Sequence, residues 1–519
     1  MALDKADLVL HEGVVFGHPE SDSVAILDGS ILAHGKFAEL KSMVGPRTHL
    51  LKMAGRTVIP GFIDSHLHFM EAAAAASGLS VWKSRTINDL LAELRVAAGK
   101  SPPGNWLRAF GCDEALIRDG RGPTREELDQ AVPKNPLRIR HSTLHGSWLN
   151  SRALNALGIE NPDFKSPAGS LIVKDATGRA TGLVVGMEAW ITSKLPLVTA
   201  AETEARARIF SRELAASGVT AFTDASPRND AAQVELLGKL VASRSICQRV
   251  GVMIGGEHLD TIPAASAAGR AGGIAIAGAK FIPRGGYETK ALAREVRYAA
   301  SSGLDCAFHA TEVEELDAAL SAIETVLREL GPDQAQRVSF RIEHGGLIPP
   351  NYLGWIRTTN AWVVSNPGFV YYRGAKYAAE PGLVPYLYRL RSLRDEGIHL
   401  AAGSDAPVTP AKPLIAISAA MTRTSLEGYV LSANEKLDIQ QAFAMFTASA
   451  ARLARLHAGA IEPGRLADMV ILGKDPLSAT SADLMNIAVD ITLVGGRIVY
   501  ERGRPAVAHS DTADLHSGQ

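Results

Sequence analysis

Between about residues 61 and 455, short apolar runs of strand character alternate with Ala- and Leu-rich stretches of helical period. This alternation, more than any other feature, limits what the chain can fold into. The runs are VIPGFIDSHLHF, GVTAFTDAS, GIAIAGAKFIP, LDCAFHA, RVSFRIEH, NAWVVSNPG and IHLAAGSDAP, with helical patterns around 202–217, 290–302, 314–330 and 387–396. Polar residues gather at one end of each run, as expected where parallel strands close into a barrel with a polar mouth. The expected fold class is therefore α/β, a (β/α)8 TIM barrel rather than an open sheet.

The flanks have a different texture. Residues 1–60 carry short β-type runs closed by Gly and Asp, and the same texture returns over 456–505 in GRLADMVILG and ITLVGGRIVYERGRP. The two ends are expected to build one sheet structure together. Residues from about 75 to 200, with SPPGNW and DGRGPTREELDQAVPKNP, fit the alternation badly and read as an insertion placed to cover the barrel mouth. Residues 506–519 lack an apolar period and read as a mobile tail.

Charge and cysteine content narrow the partners. With 54 Lys+Arg against 55 Asp+Glu and no basic run, the chain has no field suited to nucleic acid. Its three cysteines, Cys112, Cys247 and Cys306, form no CxxC pair and no disulfide framework. The opening MALDKADLVL carries acids where a signal peptide would need a basic segment followed by an unbroken apolar one, so none is expected, and no apolar stretch reaches 18 residues. A cytoplasmic protein with no membrane partner and a small-molecule substrate is expected, with assembly into a homo-oligomer left open.

Chemistry concentrates at the strand ends. In GFIDSHLHF the two-residue period of a strand puts Asp64, His66 and His68 on one face, and two imidazoles so spaced can grip one cation. Lys280, His309, His344 and Asp405 each end a further run, so several strands aim nitrogen and oxygen donors at one mouth. Polar groups at an apolar mouth cost several kcal/mol unless paired or bound to metal. Asp224 ends another strand and is a candidate for lining the site. Phe369, Tyr371, Tyr372 and Arg373 follow the NAWVVS run as pocket candidates. Glu343 alternates away from His344 and is read as structural, with Arg341 as its partner.

GFIDSHLH, RIEH, GSDAP and GAIEPGRLADMVIL, supported by HGSWLNSRALNALGI, GRATGLV and GVTAFTDA, together resemble the amidohydrolase superfamily, in particular its YtcJ-like or amidohydrolase-3 branch. The resemblance spans nearly the whole chain. It implies a TIM barrel with a β-sandwich made from both chain ends. It also implies one or two divalent ions, zinc first, with His66, His68 and Asp405 on one, His309 and His344 on a second, and Lys280 bridging both as an N6-carboxylated lysine. Asp405 would double as proton shuttle; His145 and Asn150 match an insertion motif of the family that frames the pocket or a stabilising polar network, and Arg423 matches a position after the eighth strand read as structural.

The implied reaction is attack by metal-activated hydroxide on the C–N bond of a small linear N-acyl, N-formyl or cyclic amide. One departure opens an alternative. Glu312, three residues after His309, gives an HxxE pattern similar to single-metal deaminases and chlorohydrolases acting on nitrogen heterocycles, where a glutamate carries protons. A scaffold that has lost its chemistry is the alternative of another class, and it predicts missing ligands, whereas all five His and Asp positions are present.

Overall fold

Eight parallel strands form the central sheet of the computed structural model, which describes residues 4–283 and 289–504. The strands are β1 (Phe62–Leu67), β2 (Val219–Asp224), β3 (Arg249–Gly255), β4 (Ala275–Phe281), β5 (Cys306–Ala310), β6 (Phe340–His344), β7 (Trp362–Ser365) and β8 (Leu400–Ala402). They pair in sequence order from β1 to β8. Beyond β8 the ring closes on β1, where Asp405 N donates to His66 O at 2.8 Å and His68 N to Ala406 O at 2.8 Å. The seam tolerates no side chain at Gly403, whose Cβ would meet His66 N at 2.6 Å.

Seven of these strands are those read from the sequence; β3 is the eighth. Its mouth end, VGVMIG, is wholly apolar, so it lacks the polar tip that marks the others. The alternation of each strand sorts its side chains. On β5, Cys306, Phe308 and Ala310 pack outward among the helices, while Ala307 meets Ala225 and Met253 inside the barrel. Toward the N-terminal ends of the strands, Ile63, Ala221, Val364 and Ala401 fill the interior against Ala450, Ala451 and Leu453. The helices carry their own stop and start signals. In the helix Ala200–Ala216, for example, Thr199 and Glu202 form a capping box that satisfies otherwise orphaned N–H groups.

Two further sheets flank the barrel, one built from the N-terminal segment alone and one shared by both chain ends. The strands Leu8–His11, Ser23–Leu27, Ser30–Gly35 and His49–Lys52 form one of them. In the other, Thr57–Pro60 pairs antiparallel with Met469–Leu472, joining the entry to the barrel with the exit from it. Leu10, Ile26, Val58, Met469, Ile471 and Leu493 share one apolar core between the sheets. The 75–200 region is a six-stranded sheet with its own cores, built around Leu90, Leu94 and Ile139 and around Leu154 and Ile191. The expected tail at 506–519 lies outside the described residues. No helix among those residues is long and apolar enough to cross a membrane. Cys112, Cys247 and Cys306 are all free thiols.

Candidate metal centre

At the mouth of the barrel, strand ends bring His66, His68, Lys280, His309, His344 and Asp405 into one neighbourhood. His66, His68 and Asp405 each present a donor atom within 4.8 Å of the others. His68 Nε2 stands 2.9 Å from Asp405 Oδ1 and His66 Nε2 stands 3.5 Å from it. Neither contact is aligned as a hydrogen bond, for His66 Nε2 and Asp405 Oδ1 are buried without a hydrogen-bond partner. The His344 ring lies 4.8 Å from that of His66 and 4.6 Å from that of His309.

Backbone conformation explains how His344 and Asp405 reach the mouth. Strand alternation turns Arg341 and Glu343 into the barrel, which would send His344 outward. Instead His344 has φ +71° and Asp405 φ +57°, and these left-handed steps swing both side chains inward. Non-glycine residues adopt this region at a cost, and such residues cluster at functional sites.

The partners of each ring fix its tautomer. Glu343 accepts from His66 Nδ1, so the proton sits there and Nε2 keeps its lone pair. Asn366 Nδ2 donates to Gly403 O, leaving Oδ1 to accept from His344 Nδ1 at 2.8 Å, so His344 Nε2 also carries a lone pair. His344 Nε2 in turn accepts from His309 Nδ1 at 3.0 Å, while His309 Nε2 faces Thr311 Oγ1 and, at 3.8 Å, the Glu315 carboxylate.

Electrostatics points the same way. Burial lowers the His66 pKa to about 4 and that of His344 to about 3, and it takes His309 well below the usual histidine range. All three rings are therefore neutral donors at neutral pH. Although burial opposes it, His68 holds Asp405 far below the usual carboxylate range, and Asp405 in turn raises the pKa of His68 against the effect of burial. Lys280 is fully buried, its Nζ has no hydrogen-bond partner, and burial pushes its pKa down to about 8. The orphaned lone pair of His66, an orphaned carboxylate oxygen and an orphaned amine fit a divalent-metal centre with N and O ligands.

Beside the donors opens a cavity of about 370 Å³, lined in part by His145, Glu312, Phe369, Arg373, Tyr377 and Tyr388. Of the substrate-contact candidates, His145, Phe369 and Arg373 line this cavity, and so does Glu312, the candidate proton carrier. Glu312 is exposed at the N-terminus of the helix Val313–Glu329. Burial and the neighbouring carboxylates Glu315, Glu314 and Glu380 raise its pKa.

Three expectations are corrected. Asp224 does not line the cavity, because its oxygens accept from Phe69 N, Ser226 N and Asn229 Nδ2 and so tie β2 to the helix after β1. Tyr372 sits about 100° around its helix from Arg373 and lines a separate cleft with Asp64 and Lys412. Asp64 does not join His66 and His68. The pairing of β1 with β2 slips past this point, and Asp64 accepts instead from His66 N and Ser404 N.

Arg423 is structural, donating to Leu387 O, Tyr388 O and Leu431 O, and Asn150 caps the helix Ser151–Ala156. Glu343 pairs with Arg341 as expected but also holds His66, a role invisible in the linear pattern. Asn366 and Glu315, which hold His344 and face His309, were likewise missed; the one follows a strand end directly, and the other sits in the first turn of the helix Val313–Glu329, where a carboxylate reads as a cap.

Known proteins agree with this architecture. A sequence profile described as Amidohydrolase family matches residues 53–500. An N-substituted formamide deformylase from Arthrobacter pascens is 26% identical over 523 residues, covering 93% of this chain and 95% of that protein. The putative amidohydrolase YtcJ of Bacillus subtilis is 24% identical over 546 residues, covering 95% and 99%. Among solved structures, an uncharacterized metal-dependent hydrolase from Pyrococcus horikoshii superposes with a TM-score of 0.70 at 22% identity, covering 92% of this chain and 99% of the other.

Proposed function

The chain belongs to the amidohydrolase family, and from that premise we propose that it is a cytoplasmic enzyme that hydrolyses the C–N bond of a small N-acyl or N-formyl amide. One observation carries the reading: His66 Nε2, Asp405 Oδ1 and Lys280 Nζ are buried together without hydrogen-bond partners, beside the paired His309 and His344 rings. His66, His68 and Asp405 would hold one divalent ion, zinc first, and His309 and His344 a second. Bound there, the metal would activate water near neutral pH and polarise the carbonyl.

The remaining chemistry falls to the chain's own residues. Asp405 accepts the proton released as water attacks and hands it to the departing nitrogen, a transfer its partner-free oxygen suits. Glu343 keeps the His66 proton on Nδ1, and Asn366 does the same for His344, so the ligating nitrogens stay unprotonated. Lys280 in its neutral form would add CO2 through Nζ, losing one proton, and the resulting carbamate would supply an anionic oxygen between two cations. Its burial and lowered pKa favour the neutral amine that this step requires. Phe369 and Tyr388 narrow the cavity beside the donors and exclude water from the acyl group.

Turnover of N-formyl amines, N-acyl amines and cyclic amides by metal-free, zinc-loaded and manganese-loaded protein tests the proposal. Formamides lead the panel because the Arthrobacter relative is named for them. Amine release that depends on metal is expected. Metal-loaded protein that cleaves none of the three classes, or turnover that survives His66→Ala, would refute it.

A further inference from the structure

Arg373 is more than nine-tenths buried and lines the same cavity as His309, His344 and Asp405. Its Nε has no hydrogen-bond acceptor, and the nearest carboxylate, Asp113, stands 3.6 Å from Nη2, beyond hydrogen-bond distance. Asp113 is already engaged, since its oxygens accept from Ser142 Oγ at 2.6 Å and from Ala115 N at 3.1 Å. It therefore steers the guanidinium by charge without consuming its donors. A buried guanidinium with unused N–H groups costs free energy unless an acceptor arrives, and its planar fork matches a carboxylate.

The other lining charges do not compete. Lys376, Glu312 and Glu380 are exposed at the rim, where water screens them. The Phe369 ring lies between the two ends of the cavity, 6.3 Å from the His344 ring and 5.7 Å from Arg373 Cζ. An anion on Arg373 is thus one aromatic ring away from the metal donors, a span suited to a short connector.

We propose that Arg373 recognises a carboxylate on the substrate, which makes the preferred substrates amides of the N-acyl amino acid class. The carboxylate lies on the Arg373 fork, the connecting carbons pass over Phe369 and the scissile amide reaches the donors. This deepens the proposed hydrolase function and rests on it for the position of the scissile bond, while the carboxylate site itself is tested by binding alone.

Titration calorimetry on the metal-free full chain compares N-acetyl-phenylalanine with its methyl ester. The acid is expected to bind about 10- to 100-fold more tightly, the worth of one charge-assisted bidentate contact. In Arg373→Met the preference for the acid disappears, and in Arg373→Lys, which keeps the charge but not the fork, part of it returns. Equal affinity of acid and ester for the unmodified protein, or no binding of the acid at millimolar concentration, overturns the assignment whether or not amides are cleaved. A retained acid preference in protein that cleaves no amide would instead overturn the hydrolase reading and leave the arginine site standing.

Discussion

Glu343→Gln offers the sharpest probe of how the centre is set. In the structure Glu343 is fully buried and accepts from Arg341 Nε at 2.7 Å and Nη2 at 3.2 Å while also taking the proton of His66 Nδ1. A glutamine oxygen keeps either the Arg341 Nε bond, standing at Oε1, or the bonds from Arg341 Nη2 and His66 Nδ1, standing at Oε2. If its oxygen stays with Arg341 Nε, its amide N–H points at His66 Nδ1, two donors face each other, and the ring must move its proton to Nε2. That nitrogen then has no lone pair for a metal.

Losing a partner of this kind typically costs 10- to 100-fold in metal affinity, about 1.4–2.8 kcal/mol. The half-neutralised Arg341 adds a second penalty of about 3–5 kcal/mol on folding, because a buried charge loses its counter-ion. Zinc competition against a chromophoric chelator reads the first quantity, and urea unfolding of the metal-free protein reads the second. Zinc affinity for Glu343→Gln within twofold of the unmodified protein, in a folded sample, would refute the argument that Glu343 sets the tautomer.

Other outcomes follow from the same geometry. Asp405→Ala is expected to lower kcat/KM by about 10³-fold or more, since it removes both a ligand and the proton carrier; retention of more than a tenth of the activity in amide hydrolysis would count against that dual role. Lys280→Met should reduce the bound metal from two ions per chain to one, measured by elemental analysis, and abolish any signal from labelled bicarbonate in 13C NMR. A single ion per unmodified chain would favour the heterocycle chemistry in which Glu312 carries protons. Stripping the metal should lower unfolding stability by about 2.7 kcal/mol relative to protein at a free-ion concentration 100 times Kd, and an unchanged midpoint would speak against a site specific to the folded state. Arg423→Leu leaves three buried carbonyls without their donor and should destabilise the fold by about 3 kcal/mol or more in urea unfolding, with zinc affinity unchanged.

What could be read from the letters divides along a physical line. Donors at strand ends are legible because a barrel gathers those ends regardless of detail, so His66, His68, Lys280, His309, His344 and Asp405 were within reach. Strand β3 was not, because VGVMIG carries nothing polar to mark a mouth. The role of Glu343 was hidden for a different reason. Its neighbour His344 breaks the strand alternation through a left-handed step, and no rule of periodicity anticipates such a step at a histidine. Asp224 and Tyr372 were misplaced because a strand end or a helix turn fixes a position, while the hydrogen bonds of Asp224 and the helical phase of Tyr372 decide the direction. The 75–200 region resisted reading because Gly- and Pro-rich connections interrupt its strands, several of them half-exposed.

The pairing of Thr57–Pro60 with Met469–Leu472 also has a temporal consequence. His66 lies just after the first of these strands and Asp405 well before the second, and the two meet only where the barrel seam closes. On the ribosome, a chain that has emerged as far as residue 400 owns five of the six donors and lacks the sixth. It also lacks the strand that knits its beginning to its end. Under the proposed function, the ligand set of His66, His68 and Asp405 would thus be complete only after residue 405 has been made, and the strand that ties the two chain ends together only after residue 472.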